Sequence, residues 1–414
     1  MKPVSVSRFL ALFVAMMLGG CGGGALLGPM TTPQSSSASV TRTLSAPLGP
    51  TSILPGATSI GVRSLCDPSP DSKRASCLGS VRIFASSTTA SSPGGLRPND
   101  LAAIYGFPAP ASQSATSQVV GIVVAYDSPS VESDLAAYRS YFGLPPCTSA
   151  NGCFKKVGAA APSTASTATT ASLRLPGSVS ANPTTNLSGW AAEADADVET
   201  LSGVCSGCEI VLAEAASDQL GDLGNAVTAA IDAGATIVNA SFGALESSDQ
   251  PNYAPLFENS KAKVVAASGD DGPQMLFPAA SSRVIAVGGT TLNVSGSTVT
   301  ESLWSGSGGG CSAYFGKPPW QPNWGSCSKR SVADVSAVAD PNTGVAFYDA
   351  ALGGWGIVGG TSVAAPIITG MYALSGDTAA LTGAQRLYAN SKYFVPVGDQ
   401  QLTGLGVPTG LAAF

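Results

Sequence analysis

The 414-residue sequence contains no histidine. That absence excludes Ser-His-Asp and Cys-His catalysis, His-ligated zinc and haem held by a histidine, each of which needs an imidazole. Charge is scarce: Asp, Glu, Lys and Arg make up 11% of the chain, against about 25% in an ordinary globular protein. The net charge is −6, so a polyanionic partner such as nucleic acid is not expected. A long hydrophobic run is also lacking, since the apolar stretch Phe9 to Leu18 is too short to span a bilayer. What is plentiful is glycine and proline, 49 and 29 residues, which predicts many turns. A hydrophobic content of 44% is ample for a core, and the length allows one large domain or two average ones.

The N-terminus reads as an address. Lys2 and Arg8 precede the apolar stretch, and Leu18-Gly19-Gly20-Cys21 follows it. This is similar to a bacterial lipoprotein signal, which implies a signal peptide over 1–20, a lipid on Cys21 and attachment to the cell envelope without a transmembrane helix. Gly22 rather than Asp after the cysteine resembles outer-membrane sorting. The competing reading is an ordinary signal peptide with an incidental cysteine. Setting Cys21 aside leaves an even number of cysteines in near-neighbour pairs: Cys66 with Cys77, Cys147 with Cys153, Cys205 with Cys208, Cys311 with Cys327. An oxidising compartment would make these short-loop disulfides, although eight cysteines allow 105 pairings. Cys205-Ser-Gly-Cys208 is also the spacing of a redox pair, but a strand pattern follows it rather than a helix that would acidify a thiol.

Residues 21–62 carry one charge, Arg42, among Ser, Thr, Pro and Gly, and read as a flexible tether. Residues 63–96 form a short pre-domain segment with the first cysteine pair. Residues 97–414 carry the main domain, interrupted by a low-complexity surface loop over 158–189. Within that domain apolar runs at Val119 to Ala125, Ile210 to Ala213, Ile237 to Ala240, Lys263 to Ala267 and Val284 to Val287 read as buried strands. Helical periodicity runs over Ser130 to Tyr141, Trp190 to Ser202, Leu220 to Ala233, Thr361 to Leu374 and Ala379 to Tyr388. The alternation predicts an α/β fold with a mostly parallel sheet between helices, and a site at the carboxyl ends of its strands.

Three places could carry chemistry. In Gly359-Gly360-Thr361-Ser362 a serine opens a predicted helix, where backbone N–H groups favour an anionic intermediate; it is equally the pattern of a helix cap. In Trp190-Ala-Ala-Glu193-Ala-Asp195-Ala-Asp197-Val-Glu199, Glu193 and Asp197 share one helix face, and Asp195 and Glu199 share another. A carboxylate pair sharing a proton can act as a base in acid, whereas four solvated carboxylates are the plainer reading, and spacing alone does not choose. In Ala267-Ser-Gly-Asp270-Asp-Gly272, Asp270 follows a strand end, in a sequence that also suits an ordinary turn. Together these suggest a serine served by carboxylates in place of the missing histidine.

These residues resemble the sedolisin family of serine-carboxyl peptidases over roughly residues 97 to 414. Leu96-Arg-Pro-Asn-Asp100, Phe277-Pro-Ala279, Val287-Gly-Gly-Thr290, Ser307-Gly-Gly-Gly-Cys-Ser312, Asp340-Pro-Asn-Thr-Gly344 and Gly360-Thr-Ser362 with Pro366 match family segments in order. The resemblance implies a subtilisin-like fold and a single catalytic domain. It implies Ser362 as nucleophile, Glu193 as base, Asp197 as the group that orients it and Asp270 in the oxyanion hole. Asp195 and Glu199 then fall outside the triad.

Two departures stand out. Pro396 and Gln400 occupy the positions of the family's two calcium-binding aspartates, with Asp399 one residue out of register, so no metal or other cofactor is expected. Residues 22 to 96 are short and polar for a folded prosegment. The expected protein is a lipid-anchored, acid-acting endopeptidase, a monomer with protein or peptide substrates. The alternative is a catalytically silent pseudopeptidase that binds or scaffolds at the envelope. A structural surface lipoprotein with an incidental match is a third reading.

Overall fold

In a computed structural model of the chain the described residues are 39–45, 48, 59–84, 93–158, 183–321, 326–376 and 383–414. They belong to one unit, 36–414. Cys21, the expected signal sequence before it, most of the expected tether and residues 159–182 of the expected loop lie outside them. Among the described residues no helix is long and apolar enough to cross a membrane.

The centre is a nine-stranded sheet. Its parallel part runs, from one side to the other, through Phe154–Val157, Glu209–Ala215, Val119–Ala125, Ile237–Ala240, Lys263–Ala267, Ile285–Ser295 and Val335–Val338. Thr298–Leu303 extends it antiparallel. The middle strands are buried along their length, which is why they read as unbroken apolar runs rather than alternating ones. Helices Pro183–Val204, Leu220–Asp232 and Thr361–Ser375 pack against the sheet. Leu220–Asp232 lies on Val119–Ala125, where Gly121 leaves room for Ala230 and Ala235.

The structure corrects several boundaries. The helix that carries Glu193 begins at Pro183, so the expected loop over 158–189 ends earlier. Proline is at home in a first helical turn, where its missing N–H costs nothing. In the last helical stretch the helix is Gln385–Ala389, with 377–382 outside the described residues. The tether reading fails at both ends of its described part. Val40–Thr43 adds an antiparallel strand to Thr298–Leu303, and Ser59–Ser64 pairs with Ser80–Phe84. The one charge in that stretch supplies the reason: Arg42 donates to Ile104 O at 2.9 Å and sits 3.4 Å from the buried Glu301 carboxylate.

The pre-domain segment is likewise part of the fold. Ser76–Cys77 pairs antiparallel with Phe242–Leu245. Ser80–Phe84 joins a four-stranded sheet with Ser59–Ser64, Gly354–Gly359 and Val345–Asp349. All four near-neighbour disulfides form: Cys66–Cys77, Cys147–Cys153, Cys205–Cys208 and Cys311–Cys327.

Candidate active site

Strand Gly354–Gly359 leads directly into helix Thr361–Ser375, and Ser362 is the helix's second residue. The turn between them is Gly360, with φ 103°, a backbone conformation that glycine alone adopts without strain. The first-turn N–H groups of this helix have no partner within it. Ser362 Oγ is buried and makes no completed hydrogen bond.

Glu193 and Asp197 lie one turn apart on helix Pro183–Val204, both fully buried. Burial pushes the Glu193 carboxyl well above its ordinary pKa, and the Asp197 charge pushes it further; the Ser362 hydroxyl and the Gly79 N–H pull the other way. Neither Glu193 oxygen has a completed hydrogen bond, and the raised pKa favours the carboxyl's protonated form beside Ser362. Asp197 is raised by burial as well, and opposed by Ser241 and Asn239. Its Oδ1 accepts from Ser241 Oγ at 2.6 Å, and Ser241 Oγ in turn accepts from Asn239 Nδ2 at 2.8 Å. Asn239 and Ser241 come from the carboxyl end of strand Ile237–Ala240. Asp197 is thereby fixed, while Glu193 faces Ser362.

Asp270 follows strand Lys263–Ala267. Its Oδ1 accepts from Thr361 N and Thr361 Oγ1, both at 2.8 Å. Its Oδ2 is shielded and unpartnered and lies beside Gly360. Burial raises its pKa to about 7. Since Oδ1 is occupied by donors, the proton of the neutral acid belongs on Oδ2, where it can be donated to an oxygen developing negative charge.

The structure thus brings Ser362, Glu193, Asp197 and Asp270 together from two helices and one loop. Asp195 and Glu199 are separated from them, but are not the solvated carboxylates that spacing allows, since both are buried. Asp195 carboxyl oxygen lies within 4.8 Å of those of Asp134 and Asp349. Burial, then Asp349 and Asp134, raise the Asp195 pKa to about 9. Glu199 accepts from Tyr348 N at 2.7 Å. Ser241 and Asn239 escaped notice in the sequence, and Thr361 was noticed only as part of the Gly360-Thr361-Ser362 pattern, not as the partner of Asp270. The signal for the first two was their place at a parallel strand's carboxyl end. Near the C-terminus Asp399 caps the short helix Gln400–Thr403 by accepting from Gln401 N.

The architecture and the order of its elements define a subtilisin-like α/β fold. Residues 180–385 match the model of the subtilase family, Peptidase_S8. Kumamolisin of Bacillus sp. (strain MN-32) is 32% identical over 226 residues, 46% of this chain and 40% of that protein. Sedolisin of Pseudomonas sp. (strain 101) is 38% identical over 110 residues, 23% of this chain and 18% of that protein. The chain therefore spans well under half the length of the curated relatives it matches. In structure, Pseudomonas sedolisin complexed with two molecules of pseudo-iodotyrostatin superposes with a TM-score of 0.58 at 22% identity, covering 77% of this chain and 96% of that one. The fold is shared, and the residues that do chemistry stand on this chain's own geometry.

Proposed function

We propose that this chain is an acid-acting serine-carboxyl endopeptidase of the sedolisin type. The observation that carries the reading is the convergence of Ser362, Glu193, Asp197 and Asp270 at one buried point in a chain without histidine. Ser362 Oγ attacks the scissile carbonyl while Glu193 takes its proton, and Glu193 then returns that proton to the leaving amine. Asp197, held by Ser241, keeps Glu193 oriented and raises its affinity for the proton. Neutral Asp270 donates from Oδ2 to the oxyanion, beside the N–H groups that open helix Thr361–Ser375.

The pH dependence has a definite sign. Asp270 is a donor only when protonated, and burial holds that proton up to about 7. Activity therefore belongs to acid and fades as pH rises through that value. The test is hydrolysis of an unfolded protein across pH 3 to 7 by wild type, Ser362→Ala and Glu193→Ala. Acid-confined cleavage abolished by both substitutions is expected. A folded wild type that cleaves nothing at any pH would replace this reading with the pseudopeptidase.

The same reading includes export with a lipid on Cys21, attachment to the outer membrane, action as a monomer, and a C-terminal region that holds its shape without calcium. For the last, Asp399 is engaged with its own helix.

A further inference from the structure

Helix Pro183–Val204 carries Glu193 and Asp197 on one face and Asp195 and Glu199 on another. At the second face three carboxyls meet from three elements. They are Asp195, Asp134 of helix Val131–Phe142 and Asp349 of strand Val345–Asp349, with one oxygen of each within 4.8 Å of the others. Glu199 feels the charge of all three, and all four residues are buried. These elements bring one cation, Arg139, and its guanidinium is directed elsewhere, to Pro145 O, Ser202 Oγ and Ser206 O. Of their other titratable groups, Tyr138 faces Glu199, and Glu132 accepts from Ser149. Among the described residues no cation acts on any of the four carboxyls.

Backbone donors of one hairpin engage part of this group. Glu199 Oε2 accepts from Tyr348 N at 2.7 Å and Asp349 Oδ1 from Leu352 N at 2.9 Å. Ala351 N–H also favours the Asp349 carboxylate, and Ala350 N–H that of Asp134. Asp134 Oδ2, Asp195 Oδ1 and Glu199 Oε1 are left over, shielded and without a donor. Carboxyls this close hold together when a proton lies between them and repel when all are ionised. What they would hold is the frame of the site. Asp349 stands opposite Gly354 and Val345 opposite Val358 in the hairpin, and strand Gly354–Gly359 leads through Gly360 into Ser362. About 17 Å of strand, at 3.3 Å per residue, separates the carboxyls' end of the hairpin from Gly359. The same carboxyls thus join the helix of Glu193 and Asp197 to the strand that delivers Ser362.

We infer that Asp195, clasped through protons to Asp134 and Asp349, is a positioning residue for the proposed triad: the clasp keeps the helix of Glu193 and Asp197 set against the hairpin that delivers Ser362, and its ionisation lets the two part. The inference rests on the peptidase reading above. It gives the chain a second alkaline limit, different in kind from that of Asp270. Loss of the Asp270 proton removes a donor and is reversed as soon as the proton returns. Opening of the clasp moves backbone, and reversal waits for the hairpin to settle again on the helix, a slower event. The order of the two limits is set as well. Asp270 is raised to about 7, whereas burial, then Asp349 and Asp134, raise Asp195 from 3.8 to about 9. A folded value above the unfolded one makes the clasp whole in acid and weaker as pH rises towards the upper value.

The test uses the full chain, held at pH 9.5 at a temperature where circular dichroism shows it folded, then diluted to pH 4 with a peptide substrate. Wild type should begin hydrolysis after a lag whose length is independent of protein concentration. Asp195→Asn should begin at once, because an amide donates to Asp134 or Asp349 at every pH. Trp355 lies 5.3 Å from Tyr348 across the hairpin, ring centroid to ring centroid, and its fluorescence, read as the difference from Trp355→Phe, should recover over the same interval as the lag. Asp195→Ala, assayed at pH 4 without prior exposure, should lose about tenfold or more in kcat at unchanged KM, as misplaced reacting groups do, and Asp195→Asn should keep most of that rate. A wild type that resumes its full rate at once overturns the inference and leaves the peptidase intact. So does an Asp195→Asn chain with the same lag, or an Asp195→Ala chain with wild-type kcat. If the untreated, folded chain hydrolyses nothing at pH 4, the peptidase reading falls and the positioning role with it.

Discussion

At the scale of the residue, the choice of aspartate at position 270 is the most informative. Oδ1 is tied to Thr361 twice and Oδ2 is left over, so the side chain donates only while it holds a proton. Asp270→Asn carries an amide donor at every pH. It should keep part of the activity and move its alkaline limit upward from about 7. Asp270→Ala should lose about 100- to 1,000-fold in kcat, the usual effect of removing one oxyanion donor. Rate profiles from pH 3 to 8 for the three proteins decide it. Equal alkaline limits in wild type and Asp270→Asn would take Asp270 out of the oxyanion hole.

Ser362 and the carboxylates of the proposed site stand out in the sequence because each lies within a short pattern: Gly360 before a helix, Trp190, Glu193 and Asp197 along another. Which carboxylate pair lies beside Ser362 was not readable from spacing, since the two pairs have the same i,i+4 separation. Burial of all four removes the obvious discriminator, exposure. What separates them is long-range: Asp197 meets Ser241 from a strand end, while Asp195 meets Asp134 and Asp349 from two other parts of the chain.

At the scale of the element, the central strands could be recognised because burial on both faces writes itself into sequence as continuous apolar runs. The strands of residues 40–43, 59–64 and 76–84 could not. They are short and rich in Ser, Thr and Arg; residues 59–64 pair with 80–84, and the other partners lie far along the chain, in residues 242–245, 298–301 and 354–359. Pairing at that separation leaves no local period to detect.

The disulfides are elements of the same local kind. Cys311–Cys327 closes a loop with sequence separation 16, and Gln401 donates from Nε2 to Ser326 Oγ, the neighbour of Cys327, at 2.8 Å. Replacing both cysteines by alanine should cost about 3 kcal/mol, the loop-closure entropy of a crosslink of this length, and denaturant melts will measure it. Chelator should leave the melting of the oxidised protein unchanged. A fall in melting temperature with chelator would mean that calcium is still held.

At the scale of the whole molecule, the buried carboxyls set the response to pH. Asp195 is raised from 3.8 to about 9, and Glu199, Asp349 and Asp134 are raised with it, chiefly by burial. A carboxyl whose folded pKa exceeds its unfolded one binds more protons folded than unfolded between the two values. Stability is then full below the lower value and is lost as pH rises towards the upper one. For Asp195 that window runs from 3.8 to about 9. The melting temperature should therefore be highest in acid and fall by several degrees on the way to pH 8. Asp195→Asn, which cannot ionise, should flatten the decline. Calorimetry of both proteins along that pH series is the check, and a wild type steadier at pH 8 than at pH 4 would refute it.

The Cys66–Cys77 bridge closes upstream of residue 78, and the other three disulfides close downstream of residue 79. Among the described residues no disulfide straddles the Leu78–Gly79 bond. Hydrolysis there would leave a two-piece molecule stitched only by strand pairing and by contacts such as Arg42 with Glu301. Any acyl chain on Cys21 would stay with the amino-terminal piece, and Ser362 would travel with the other. In a cell fraction a nick at that bond by any protease would then register as shedding: antibody against the carboxy-terminal piece would move from pellet to supernatant, with or without reductant.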